Sequence, residues 1–469
     1  MELSEKNLNR NILTLALPAA GENLLHMSVF ITDTLFMAWV GMKQLAGVDV
    51  SGMIAGILML FVKAISMAAM SLVARHIGAK KRREAEQIAG QALSLGFLAS
   101  VFVAAPVIIF APQMLRLMGL EPAVVDYGVI YLRTVMLTAG FRQIISGGCS
   151  VLRGAGDTLT PMLVTLVMNA VNIAAAYLLV FGKFGFPRLD VLGAAYGANL
   201  AAVVGAVLVL IVLLGGVSQI RVRLRDIFTI HGPVLAMLIR IGLPAGLDMF
   251  LMRISFVLYC RIIASLGTAA LAANAVALRV ESLSFMPGMG IAMAAGALVG
   301  QSLGAGSVAL AEKTLKRCTW IAVAVMGALG LVLLVAARPL SALFVSDPEM
   351  IRLSALCIQI SALEQPLLGF VMVYMGGLRG AGDTFSAMLV TLICSTLVRL
   401  PVVFFLAITL HFGLVGAWVG AVIDWAIRSG VVYLIARWGR WKRIKVEISV
   451  PPPVVEEVVT ETVGIPPVS

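Results

Sequence analysis

Long apolar runs separated by short polar breaks recur along the chain almost to residue 440. Leu93 to Phe110, Leu200 to Leu214 with its flanks, and Trp320 to Ala337 are each long enough to cross a hydrocarbon layer of about 30 Å as a helix. They lack the strict alternation of a membrane β-barrel strand. The pattern predicts twelve spans, over residues 11–40, 45–76, 88–110, 122–152, 159–181, 191–216, 236–266, 270–303, 315–337, 349–378, 385–411 and 413–437. The expected fold class is an all-α membrane protein of twelve transmembrane helices.

The polar breaks carry a repeat. The heptapeptide LRGAGDT occupies Leu152–Thr158 and again Leu378–Thr384, 226 residues apart. The same offset pairs Leu17-Pro18 with Leu243-Pro244, Gly41 with Gly267, and Met67-Ala68-Ala69 with Met293-Ala294-Ala295. It also pairs Gly78-Ala79 with Gly304-Ala305, and LVTL at Leu163 with LVTL at Leu389. Six spans return the chain to its starting side. The two copies therefore share one orientation, as lobes related by a pseudo-two-fold axis along the membrane normal. The boundaries are a first lobe over 1–216, a linker over 217–235, a second lobe over 236–440, and a tail over 441–469, expected to be disordered from its prolines and glutamates. In LRGAGDT itself, Gly154 and Gly156 permit a tight turn, Asp157 can cap the next helix, and Arg153 can reach lipid phosphate or backbone carbonyls.

Charge sharpens the topology. The chain is 60% hydrophobic and 13% charged, with net charge +11. Its basic residues cluster in alternate connections: Arg75 with Lys80 to Arg83, then Arg153, Arg221 to Arg225, Lys313 to Arg317, Arg379, and Arg437 to Lys445. The positive-inside rule then puts both termini in the cytoplasm, and the basic balance reports topology, with no nucleic-acid partner implied. No cleavable leader is evident, so the first span is expected to stay as a helix. The five cysteines lie in or beside apolar spans without paired spacing and read as inert thiols. No GxxxxGK[ST] or HExxH occurs and the four histidines are scattered, so neither ATP-driven transport, a metal site nor an enzyme is expected.

Ionisable groups within spans are functional candidates by default, because each is costly unless paired or hydrated. Asp33 in span 1 heads the set: desolvation favours the neutral carboxyl, so it could bind and release a proton, or hold sodium if oxygens surround it. Asn169 and Asn172, three apart on one face of span 5, could reach it if the spans are neighbours. Glu22 and Asp248 stand four residues after the repeated proline, which leaves an architectural and a coupling role equally open. The second lobe adds Arg253, Glu281, Glu364, Arg399, Asp424 and Arg428, read as a buried network or part of a substrate cleft. Asp424 and Arg428 have the spacing to face each other. Glu281 could be neutralised by Arg279 or could attract a cationic compound. Met252, Phe256, Phe285 and Met286 suit a pliable cleft.

The chain resembles the multidrug and toxic compound extrusion (MATE) family. The resemblance rests on LPAAGENLLHMSVFITDTLFMAWVG in span 1, NAVN in span 5, ALRVESLSFMPGMGIAMAA and LVGQSLGAG in span 8, and the doubled LRGAGDT. It implies a rocking antiporter that exports bulky, often cationic amphiphiles against an inward proton or sodium gradient, with no cofactor beyond the coupling ion. The implied partners are drugs or toxins and membrane lipids, and the implied setting is the plasma (inner) membrane, as a monomer. By the resemblance, Asp33 stands at the coupling acid's position and Asn172 at one that assists the ion. Ala176 stands where some members have a further acid, which favours proton over sodium. Coupling acids that other members carry in spans 7 and 10 fall on Met252 and Leu368, one turn from Asp248 and Glu364. The rival reading is a lipid-linked flippase, which a broad basic cleft would favour, whereas sparse acids favour cationic drugs. A passive channel is disfavoured because the charges form no ring.

Overall fold

The computed structural model describes residues 5–229 and 231–444. After a short turn at Glu5–Asn7, the first lobe is built from α1 (Leu8–Val40), α2 (Met42–Leu58), α3 (Leu60–Gly78), α4 (Arg82–Leu117), α5 (Pro122–Met136), α6 (Ala139–Gly154), α7 (Leu159–Phe181) and α8 (Asp190–Gly215). The linker carries α9 (Leu224–Phe228). The second lobe holds α10 (Gly232–Ala264), α11 (Thr268–Gly304), α12 (Val308–Ala342), α13 (Pro348–Gly380), α14 (Thr384–Thr391), α15 (Arg399–Phe404) and α16 (Gly413–Trp438), followed by α17 (Arg440–Arg443).

Every predicted span has its helix. Span 2 divides at Met59 into α2 and α3, and span 4 bends by 55° between α5 and α6. Span 11 runs from Thr384 to Thr409 and widens into π turns at Leu392–Val398 and Phe405–Thr409. The first wide turn precedes Pro401, which has no N–H to return to the previous turn.

The repeat duplicates a hairpin and also its anchor. Gly156 and Gly382 turn the chain at φ +91° and +84°, a region open to glycine. Asp157 then accepts from the Thr160 N–H at 3.0 Å and the Thr160 hydroxyl at 2.7 Å. Asp383 does the same for Ser386 at 3.2 and 2.7 Å. The arginine of the motif does not point to lipid. Arg153 donates to both carboxylate oxygens of Glu22 at 2.8 and 2.9 Å, and Arg379 donates to Asp248 at 2.5 Å. Each lobe thus ties its first helix, just past the proline, to the end of its fourth span.

The lobes meet at the end that holds the N-terminus. A Cβ at Gly78 would overlap the carbonyl of Gln301, and one at Gly304 would overlap that of Arg75, the repeat-related crossing. Gln301 donates to the Gly154 carbonyl at 2.9 Å, and Ser71 donates to that of Gly380 at 2.9 Å. Lys313–Glu5 at 2.5 Å and Arg317–Asn9 at 2.7 Å add to the same end. Among the described residues, no interlobe hydrogen bond or ion pair lies beyond the level of Asn23 and Met293. The gap opens toward the opposite side.

Two boundaries shift. The linker expected over 217–235 yields its last residues to α10, and α9 docks on α4: Arg83 makes two 2.6 Å bonds to Asp226, and Gln91 donates to the Thr229 carbonyl. The tail expected to be disordered over 441–469 is folded at its start. Trp441 is buried and donates to the Ala436 carbonyl at 2.8 Å, while Arg75 of the other lobe donates to the carbonyls of Ile444 and Trp441. Burial of the indole overrides the polar composition around it. The rest of that expectation, 445–469, lies outside the described residues.

Candidate functional site

In the first lobe α7 packs against α1, and the three-residue spacing turns both asparagines toward it. Asn172 donates from Nδ2 to Asp33 Oδ1 at 3.0 Å, while Asn169 donates to the Leu25 carbonyl at 2.7 Å. Asn172 is 3% exposed and its Oδ1 has no partner. An amide can serve a carboxyl in either charge state: Nδ2 donates to the ionised form, and Oδ1 can accept from the protonated form. Glu22 is absent from this cluster, being held by Arg153. Position 176 is closed by packing, since a Cβ on Gly197 of α8 would press on the Ala176 backbone and side chain.

The sequence reading missed one member of this cluster. Arg142 of α6 donates to the Ala198 carbonyl at 3.2 Å and to Asn199 Oδ1 at 3.5 Å, and acts electrostatically on Asp33 and Tyr131. Asn199 is itself fixed by Thr138 and by the Thr134 carbonyl, both at 2.7 Å. The signal was an arginine inside an apolar span.

The second lobe gathers five of its predicted charges. Asp424 is fully buried. It receives Arg428 at 2.7 Å and Arg399 at 3.2 Å on the same oxygen, and both guanidinium groups lie over the Trp425 ring, at 4.5 and 5.3 Å. Stacking and pairing together hold two cations in an apolar bundle. Glu281 faces Glu364 within hydrogen-bonding reach, with Arg399 acting on both. Both carboxyls are buried, and placing two like-charged groups together in an apolar bundle is costly. Glu281 is therefore partnered by Glu364, not by Arg279. Asp248 and Arg253 stand outside this cluster. Asp248 is bound by Arg379 and by the Thr391 hydroxyl.

A cavity of about 380 Å³ lies at the base of the interlobe gap, walled by Met67 and Met70 of α3, Met252, Phe285, Met289, Met293, Met372, Met375 and Trp425. Of the four residues expected to form a pliable cleft, Met252 and Phe285 line it. Methionines adapt to varied apolar shapes. Above it, toward the open side, Lys63 of α3 and Arg253 of α10 face the gap from opposite lobes; the sequence reading missed Lys63 also.

The MatE family profile matches residues 18–178 and 244–405, one copy in each lobe. "Probable multidrug resistance protein NorM" of Thermotoga maritima is 30% identical over 437 residues, 93% of this chain and 94% of that protein. "Uncharacterized transporter YisQ" of Bacillus subtilis is 26% identical over 91% of this chain and 93% of its own. A solved MATE structure in the straight conformation superimposes with TM-score 0.86 at 22% identity, over 92% of this chain and 96% of the other. The twelve apolar spans, the doubled hairpin and these likenesses agree: the chain is a multi-pass membrane protein of the MATE family of multidrug transporters.

Proposed function

We propose that the chain is a proton-coupled antiporter that exports amphiphilic compounds by alternating access, in the plasma (inner) membrane with both termini cytoplasmic. On that topology the described state is closed to the cytoplasm and open outward. The observation that carries the proton reading is Asp33, hydrogen-bonded by Asn172 and, among the described residues, by no other polar group, with the Arg142 cation nearby. Sodium needs several oxygens and tolerates a neighbouring guanidinium poorly, whereas a proton needs only the carboxyl and an amide that suits both charge states. Protonation removes the charge that holds Asp33 in its polar surroundings and lets α1 repack, which expels substrate from the cleft. The Thermotoga relative, by its name a probable multidrug resistance protein, supplies the drug-export context.

The test is ethidium efflux from purified protein in proteoliposomes, with a proton gradient and a sodium gradient imposed separately, for wild type and Asp33→Asn. Efflux driven by the proton gradient and lost in the variant is the expected result. Sodium-driven efflux overturns the choice of ion. Efflux that survives in Asp33→Asn moves coupling to the second lobe, where Glu281 and Glu364 are buried together.

A further inference from the structure

The cleft carries a charge imbalance that the drug-export reading does not use. Besides Arg379 and Arg428, which line the cavity and are paired with Asp248 and Asp424, four cations project from spans near the gap: Lys63 and Arg142 in the first lobe, Arg253 and Arg279 in the second. Among the described residues, no carboxylate lies within ion-pair distance of any of these four. Asp33 acts with Arg142, and Asp49 acts across the gap with Arg279. Lys63 and Arg253 have no such balance: the charged groups acting on Lys63 are Arg253 and Arg142, both positive. Arg253 reaches so far across the gap that a Cβ on Gly56 of α2 would sit 3.9 Å from its Nη2.

Two unmatched cations from opposite lobes are costly near the middle of a membrane, and the cost grows as the gap closes and water leaves. The repeat gives no architectural reason for them, because the equivalent of Lys63 is Met289 and that of Arg253 is Met27. Their location is informative. Lys63 lies one turn above Met67 on the same face of α3, about 6 Å toward the open side, and Arg253 adjoins Met252. Both methionines wall the apolar cavity.

We infer that Lys63 and Arg253 together bind the anionic head of an amphiphilic substrate, a carboxylate, sulfonate or phosphate, whose apolar body fills the methionine cavity one turn deeper. The inference names a substrate class for the export site proposed above and rests on that reading. It departs from the expectation of cationic compounds. A bound anion supplies the counter-charge that the two lobes lack, so the loaded cleft closes more readily than the empty one.

The test compares two probes with one apolar body and opposite heads, pyrenebutyrate and pyrenebutyl-trimethylammonium. Equilibrium binding is read by quenching of tryptophan emission in nanodiscs of zwitterionic lipid, without a gradient, against empty discs. Wild type is expected to bind the anion at least about tenfold more tightly than the cation, and Lys63→Gln or Arg253→Gln to erase that preference. Arg253→Lys, which keeps the charge, should retain most of it and controls for folding. Equal or tighter binding of the cation by wild type, or unchanged anion affinity in both glutamine variants, overturns the inference.

A second arm assigns the source of the anion. Pyrenebutyrate export by proteoliposomes makes it a soluble amphiphile; flipping of fluorescent phosphatidylglycerol, lost in the same variants, makes it a lipid headgroup. Because binding is measured without a gradient, anion binding without driven transport overturns antiport alone. Driven ethidium efflux without anion preference overturns this inference alone.

Discussion

The two lobes carry the same scaffold and different chemistry. Glu22–Arg153 and Asp248–Arg379 occupy equivalent positions, as do the caps Asp157 and Asp383 and the crossings at Gly78 and Gly304. The groups outside this scaffold have no counterparts: Tyr259 stands where Asp33 does, Leu368 where Arg142 does, Ala55 where Glu281 does, and Thr138 where Glu364 does. Polar features that the repeat duplicates cap the hairpins and tie each lobe's first helix to its fourth span. Those it leaves single include the groups to which the proposed coupling and recognition are assigned.

The sharpest way to break this contrast sets Asp33→Asn against Glu22→Ala. Asparagine at 33 keeps a hydrogen bond to Asn172, so the protein should fold and retain its thermal midpoint while proton-driven efflux falls to background. A large loss of stability in Asp33→Asn would make it scaffold after all. The complementary change removes a duplicated charge. Glu22→Ala and Asp248→Ala each leave a mostly buried arginine without its acid, a loss of about 3–5 kcal/mol by the behaviour of broken buried pairs. Both should lower the thermal midpoint in detergent, and the swaps Glu22→Arg with Arg153→Glu, or Asp248→Arg with Arg379→Asp, should restore part of it. If only one lobe responds, the equivalence fails.

The interlobe crossing predicts a shift of conformation at little cost to either lobe alone. Gly78→Ala or Gly304→Ala puts a methyl group into the opposite backbone, an overpacking of about 1–3 kcal/mol that exists only while this end is closed. Spin labels flanking residues 78 and 304 should report a larger population of separated lobes in either variant. Unchanged distances would mean that the helices slide to accept the methyl group.

How far the sequence foretold this follows from the same contrast. The spans were legible because a helix in lipid must be apolar along its whole length, and the lobes because the repeat survives in LRGAGDT and its companions. The partnership of Asp33 with Asn172 was legible through the spacing on α7. Arg153 with Glu22 was not, since a motif fixes local turns but leaves silent which helix, 131 residues distant, lies beside it. Lys63 and Arg142 went unread because a single basic residue in an apolar run gives no sign of whether it faces lipid, a partner or a cleft. The folded start of the tail was hidden for a related reason: Trp441 sits among arginines, and only the packing of α16 buries it.

The smallest effect probes the scaffold most locally. Asp157→Ala and Asp383→Ala each remove an acceptor for one backbone N–H and one hydroxyl at the start of the next span, worth about 1 kcal/mol of helix stability. Asparagine, which also caps, should recover most of it. The two positions need not respond alike, because Asp383 is also approached by Arg440 at 3.8 Å, whereas no ion pair to Asp157 occurs among the described residues. A larger loss at Asp383, reduced in an Arg440→Gln background, would assign the difference to the segment beyond α16. Equal losses would mean that the exposed arginine is screened and that the cap alone is what the repeat preserves.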